Sequence, residues 1–316
     1  MTISFDITNP IFTDKEAARL HLEGTRWPEG VVCPHCSSHN VRELTGKSHR
    51  AGLRQCNEKE CRQQFTVTVG TVFERSKVPL NKWLLATHLL TASKNGMSAH
   101  QIHRMIGVTY KTAWFMCHRI REAMVDDNPP PLGGKDKTIE SDETYVGNKV
   151  GLKKKRALKR QGVKGWGGSN NKYTVVSLVE RGGNIRSFHV DKANKAKIRE
   201  ILVRNVSRKS RLVTDESNLY TETGPEFAKH QKVHHARGEY VRDDVYTNTL
   251  EGFYSIFERG MRGVYQHCGE QHLQRYVTEF DFRYNHREVN DNERREVVLK
   301  NISGKRLTYR RISKAA

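Results

Sequence analysis

The sequence predicts a multidomain α/β protein: a small cysteine-bearing module, then a helical pair, then a larger mixed α/β domain. Three observations carry this. Cys33, Cys36, Cys56 and Cys61 cluster between residues 33 and 61, while Cys117 and Cys268 stand alone. Residues 79–125 show helical apolar periodicity interrupted at Gly107. Residues 138–290 mix short strand-like runs with amphipathic helical ones.

The chain has 316 residues, room for two or three domains, and 36% hydrophobic content, enough to bury a core. No run of about 18 apolar residues exists to span a membrane. The first residues, MTISFDITNPIF, lack the basic-then-apolar pattern of a signal peptide, so a cytoplasmic location is expected. The net charge is +20 with a pI near 9.8. Self-repulsion on that scale favours a polyanionic partner, and without a long basic amphipathic helix nucleic acid fits better than a membrane surface.

In chain order, residues 1–25 are a lead-in whose helix DKEAARLHLE has Thr13 as its expected N-cap. Residues 26–72 hold the cysteines. Cys33 and Cys36 are a C-x-x-C pair, and Cys56 and Cys61 a looser pair with four residues between. Two such knuckles can deliver four thiolates to one tetrahedral zinc, a structural site because no coordination position stays open. His35, His39 and His49 remain possible replacements for one cysteine. The run Phe65–Val69 alternates apolar residues with threonines and predicts a strand.

Residues 73–125 predict a helix-turn-helix. Ser98 caps a helix with Ile102, Met105 and Ile106 on its apolar face. Gly107 turns the chain. Thr109 caps a second helix with Tyr110, Ala113, Cys117, Ile120 and Met124 inward. Its Lys111, Thr112, His118 and Arg119 are the expected DNA contacts. Residues 126–137, DDNPPPLGGKDK, read as a linker, and residues 291–316 as a loosely ordered basic tail.

Within residues 138–290 three acids stand out by position. Asp142 lies in the first strand, Asp215 closes the buried strand RLVT, and Glu251 lies on the helix TNTLEGFYSIFERG, opposite Leu250 and Phe257. A carboxylate closing a buried strand is costly unless a cation meets it. Two Mg²⁺ (or Mn²⁺) ions would meet it, and a pair of hard cations about 3.5–4 Å apart suits displacement at phosphorus. Strand alternation sends Glu143 to the face opposite Asp142, away from such a site. The basic run Lys153, Lys154, Lys155, Arg156, Lys159, Arg160 and Lys164, with its Gly-rich flank, suits backbone phosphates.

The segments SDETYVG, LVTDES, NTLEGFYSIFERG, GVYQH, HLQRYVTEFDFRYN and CRQQFTVTVGTVFERSKVPLNKWLLA resemble the zinc-ribbon DDE transposases of bacterial insertion sequences, relatives of the eukaryotic Merlin elements. The resemblance covers about residues 20–290. It implies an RNase H-like catalytic domain and a DDE triad of Asp142, Asp215 and Glu251. Glu251 follows Asp215 by 36 residues, a spacing that suits the group. Asn248, one turn earlier, is the alternative third residue. The group usually carries Lys or Arg seven residues after the Glu. Here Glu258 stands there, with Arg259 next to it.

The function implied is cleavage at terminal inverted repeats and joining of the 3′-hydroxyls to target DNA, by at least a dimer associated with the nucleoid. Two other readings stay open: a non-catalytic zinc-ribbon regulator, and an RNase H-like nuclease without strand transfer.

Overall fold

A computed structural model describes residues 7–148, 171–234 and 241–308, together with Arg156, Arg160, Gln161 and Glu239. The chain forms two compact units. One comprises the residues up to Val125 with those from Glu288 on; the other is Asp126–Arg287. Among the described residues no helix is long and apolar enough to cross a membrane.

The first unit opens with α1 (Pro10–Thr13) and α2 (Lys15–Arg26). Asp14, rather than Thr13, caps α2, its carboxylate accepting from Glu16 N and Ala17 N. A three-stranded antiparallel sheet follows, β1 (Val41–Glu43), β2 (Arg54–Cys56) and β3 (Gln64–Phe65). The strand expected through Val69 stops at Phe65. The threonines that supply the alternation instead close turns: Val69 N donates to Thr66 O, and Thr71 N and Oγ1 both donate to Thr68 O. The carbonyls that a ladder would use are thus taken by turns, and the Thr71 hydroxyl adds a side-chain bond to one of them. Next come α3 (Leu80–Ala92), α4 (Ala99–Ile106) and α5 (Tyr110–Ala123).

The first part of the expected loose tail is instead α9 (Asp291–Lys300), started by a capping box of Asn290 and Glu293, while residues 309–316 lie outside the described residues. Val298 and Leu299 are buried, and Arg295 lies buried over the Phe12 ring. Glu296 accepts from Thr25 and meets His21 at 2.9 Å. The low apolar content of residues 291–316 hid this helix, because its inward face is partly an arginine whose stem packs while its head stacks.

The second unit is built on a five-stranded sheet in the order β6-β5-β4-β7-β8. These strands are β4 (Thr138–Val146), β5 (Tyr173–Glu180), β6 (Ile185–Val190), β7 (Arg211–Thr214) and β8 (Lys229–Lys232). The first three form an antiparallel meander, and β7 and β8 add parallel to β4. That is the mixed sheet of an RNase H-like domain. On one face α6 (Lys195–Asn205) covers Ile139, Val176, Leu178 and Leu212. On the other, α7 (Asn248–Gly260) and α8 (Glu270–Asn285) cover Val146, Val175, Val179 and Ile185. The small pair β9 (Val241–Arg242) and β10 (Val245–Tyr246) precedes α7. The stretch expected to be a linker is partly folded into this unit. Leu132 is buried in the α6-side core, and its N–H donates to Asn205 O.

Strand β6 is an edge, and edges invite pairing with other chains. Here α8 occupies it with side chains. Asn285 Oδ1 accepts from Ile185 N, Asp281 from Ser187 N and Oγ, and Gln274 Oε1 from His189 N, while Gln274 and Asn285 amides donate to Ser187 O and Ile185 O. Burial pushes the Asp281 carboxyl up to about 7, against the Ser187 hydrogen bonds. A folded-state pKa above the unfolded 3.8 favours the fold most below pH 3.8, and that contribution is lost as pH rises toward 7. Denaturant unfolding from pH 4 to 7 should therefore show wild type losing stability relative to Asp281→Asn. Parallel pH profiles would contradict this.

Candidate active site

The four cysteines converge as their spacing predicts. Their Sγ atoms lie within 4.8 Å of one another, with Cys33–Cys61 at 3.8 Å and Cys36–Cys56 at 3.5 Å. Tetrahedral thiolates at a Zn–S distance of about 2.3 Å stand about 3.8 Å apart, so the set fits zinc. No histidine joins them: His35, His39 and His49 lie outside the group. Each knuckle ends on a left-handed residue, Ser37 (φ 60°) after Cys36 and Arg62 (φ 48°) after Cys61. Burial raises the Cys33 thiol, but the His35 and Cys36 N–H groups and the neighbouring thiols bring it below its ordinary value, which favours the ligating thiolate. The buried cluster around the cysteines is small, Cys33, Cys56 and Phe65, too little to hold three short strands without metal. Cys36→Ser should therefore abolish the bound zinc, read as metal content per chain, and melt the ribbon at lower temperature. Retained stoichiometric zinc would argue against the four-thiolate site.

The helix-turn-helix forms as expected. Ser98 caps α4, Gly107 (φ 63°) ends it in the left-handed conformation, and Thr109 caps α5. Its surface differs from the expected one. Lys111 is exposed, but Thr112 lies against Thr109, 2.9 Å between hydroxyls. His118 and Arg119 are buried. His118 meets the Trp114 ring, and Arg119 donates to Glu74 O and stacks over Trp83. They lie about two turns beyond the exposed start of α5, where α3 packs, so their side chains are turned into the unit rather than toward DNA. Met105 and Tyr110, expected inward, are 52% and 42% exposed. Tyr110 stacks on His100 at 4.2 Å. Of the basic run, Arg156 and Arg160 are exposed; Lys153, Lys154, Lys155, Lys159 and Lys164 lie outside the described residues.

The acids meet where the sheet changes direction. Parallel pairing of Ser141 with Thr214 puts Asp142 abreast of Asp215, the first residue past β7. The carboxylates of Asp142, Glu143 and Asp215 all lie within 4.8 Å of one another. Glu143 was expected to point away, and it does leave the strand on the α6 side. Beyond Thr214, however, β7 no longer walls off the two faces, so side chains from both reach its end. Asp142 Oδ1 accepts from Glu143 N at 2.8 Å, and Asp215 Oδ1 from Ser217 N at 3.0 Å. Burial, then the Asp142 and Asp215 charges, push Glu143 up to about 7 despite the Tyr220 hydrogen bond.

Glu251 is exposed on α7 and is not in this group; Asn248 is exposed at the same helix's start. What holds α7 is a residue that sequence reasoning missed. Glu140, fully buried, accepts from Thr249 N, Thr249 Oγ1 and Leu250 N, supplying the cap that Thr247 does not. Arg181 Nε pairs with it at 2.6 Å. Farther along, Tyr254 donates to Asp142 O and Thr144 to Glu258 Oε1. Glu140, Asp142 and Thr144 share one strand face, so α7 runs along β4 beside Asp142. Glu258 also pairs with Arg262 at 2.7 Å, while Arg259 is exposed.

Known proteins agree with both modules. Residues 131–285 match the ISXO2-like transposase domain, and residues 13–64 the transposase zinc-ribbon domain. Over 284 residues the chain is 32% identical to an uncharacterized protein in transposable element ISH50 of Halobacterium salinarum, covering 86% of this chain and 90% of that one. Among solved structures it is similar to a chain of a simian T-cell lymphotropic virus intasome in complex with a PP2A regulatory subunit, at 11% identity and a TM-score of 0.29, covering 57% and 63%. That TM-score is too low to bear on the fold, which rests on the strand order. The first two matches define a DNA-processing enzyme of the transposase class. The chain belongs to the ISXO2-like family of insertion-sequence transposases.

Proposed function

We propose that this chain binds the terminal inverted repeats of its element, cleaves the ends, and joins the freed 3′-hydroxyls to target DNA. One observation carries the reading: Asp142 and Asp215, from neighbouring parallel strands, stand abreast at the open end of the sheet. Their donor set fits Mg²⁺ or Mn²⁺. Carboxylate oxygens are the hard ligands these ions take, and oxygens on one Mg²⁺ octahedron lie at most about 4.2 Å apart, a spacing that a group lying within 4.8 Å can meet. A bound pair of such ions would activate the attacking oxygen and neutralise the leaving one.

The residues do the rest by positioning. Asp142 and Asp215 hold the ions, with Glu251 as third ligand and Asn248 as the alternative. The Glu140 cap and the Tyr254–Asp142 bond fix the helix from which Glu251 reaches. Exposed Arg259 supplies the positive charge the family keeps at position 258, and Lys111 with the basic segment 153–164 tracks phosphates. Water attacks the phosphodiester at each end, its proton leaving with solvent; the released 3′-hydroxyl then attacks a target phosphodiester, whose 3′-oxygen departs. No covalent bond to the protein forms. Pairing two ends calls for at least a dimer on DNA.

The test is to incubate the chain with terminal-repeat DNA, target DNA and Mg²⁺ or Mn²⁺. Joined donor–target product, absent with EDTA, is expected. Cut ends without joined product would favour the nuclease reading, and binding without cutting the regulator.

A further inference from the structure

We infer that Glu143 is a working carboxylate of the divalent-metal site and that Tyr220 is its positioning residue. The inference rests on the reading of Asp142 and Asp215 as metal ligands. Glu143 is half-buried, and its carboxylate is in the group with both aspartates, where Glu251 is not. Three acids facing one another at the open end of a sheet repel unless a cation joins them, and an acid idle in that position would turn to solvent. Glu143 is held in place instead. The Tyr220 hydroxyl donates to Glu143 Oε1 at 2.8 Å. The Ser141 hydroxyl donates to the Tyr220 oxygen at 3.1 Å, so the single phenolic proton is committed to Glu143.

Tyr220 is well placed to impose this. Its side chain is completely buried in the α6-side core, so its hydroxyl has a fixed position. It sits on the short 3₁₀ turn Asn218–Tyr220 just after Asp215. Ser217, which caps that turn, also donates its N–H to Asp215. One rigid turn thus fixes Asp215 directly and Glu143 through the phenol. Ser141 and Glu143 share the strand face that meets Tyr220, while Asp142 between them meets α7. One hydrogen bond to Oε1 leaves the other acceptor positions of the Glu143 carboxylate for a cation.

The experiment titrates Mn²⁺ into the full-length, zinc-loaded chain without DNA and reads free Mn²⁺ by electron paramagnetic resonance. Glu143→Gln keeps the size and an acceptor for Tyr220. It should weaken Mn²⁺ binding more than tenfold while zinc content stays as in wild type and the metal-free melting temperature does not fall. Tyr220→Phe should weaken binding about tenfold, the usual effect of removing a partner that orients a ligand. If Asp142→Asn loses Mn²⁺ and Glu143→Gln binds it like wild type, the inference is overturned and the active-site reading stands. If neither variant changes Mn²⁺ binding, the metal reading of the whole cluster falls, and the inference with it. Should Tyr220→Phe unfold, the Glu143→Gln titration decides alone.

Discussion

Asp142→Asn and Asp215→Asn are each expected to remove cleavage and strand transfer by about a thousandfold or more, while repeat-DNA binding in a gel shift persists. Asparagine keeps the shape of the side chain and loses only the charge. The loss of metal-borne charge stabilisation in such a site is worth several kcal/mol, each ~1.4 kcal/mol being a factor of ten in rate. DNA binding should survive because the zinc ribbon and the helix-turn-helix belong to the other compact unit. The metal-free fold should not suffer either. The three carboxylates lie within 4.8 Å of one another, so neutralising one relieves repulsion, and a small rise in melting temperature is expected without divalent ions. For the third ligand, Glu251→Gln should damage strand transfer far more than Asn248→Ala. Wild-type turnover by either aspartate variant would end the catalytic assignment, and the reverse order at 251 and 248 would move the third ligand to Asn248.

Legibility in the sequence followed the range of the interactions. The cysteine knuckles, the caps at Ser98 and Thr109 and the Gly107 turn are local devices whose residues lie within a few positions of what they act on, and each took its expected form. Asp215 could be picked out because it closes an apolar strand, and Asp142 by its place in the first strand of the unit within the segment SDETYVG. Periodicity misled where its assumptions lapse. Alternation keeps Asp142 and Glu143 apart only where strands flank them on both sides; β5 continues beside them, but β7 ends at Thr214. His118 and Arg119 looked exposed because they are polar, yet Arg119 satisfies a backbone carbonyl and an aromatic face inside the unit. Glu140 had no signal at all: it lies 109 residues from the helix it caps. The Gln274, Asp281 and Asn285 set on α8 was equally silent, since its partner strand lies more than eighty residues earlier.

Glu140 carries the largest stability prediction. Glu140→Ala should destabilise the catalytic unit by about 3–5 kcal/mol, the usual cost of leaving one member of a buried ion pair alone. Urea unfolding would read the free energy directly, and the melting temperature should fall by roughly 10 °C for a unit of this size. Three consequences add. The first N–H groups of α7, at Thr249 and Leu250, lose their acceptor. The helix loses the negative charge at its N-terminus, where the macrodipole favours one. Arg181, which spans from Glu140 to the carbonyls of Asp244 and Tyr246 and lies 3.7 Å from the Tyr246 ring centroid, keeps its charge in a site built around a carboxylate. Glu140→Gln should cost less, because an amide oxygen still accepts from the helix. Pairing Glu140→Ala with Arg181→Met should recover part of the loss, since neither charge is then stranded. A change under about 1 kcal/mol for Glu140→Ala would mean that side-chain packing of α7, not its cap, holds the helix. Activity should fall further than stability alone explains when measured well below the melting temperature. Glu251, the proposed third ligand, sits one residue past the capped amide of Leu250, so a frayed first turn displaces it while Asp142 stays on β4 and Asp215 at the end of β7. An acid that never meets DNA would then set how precisely another acid does.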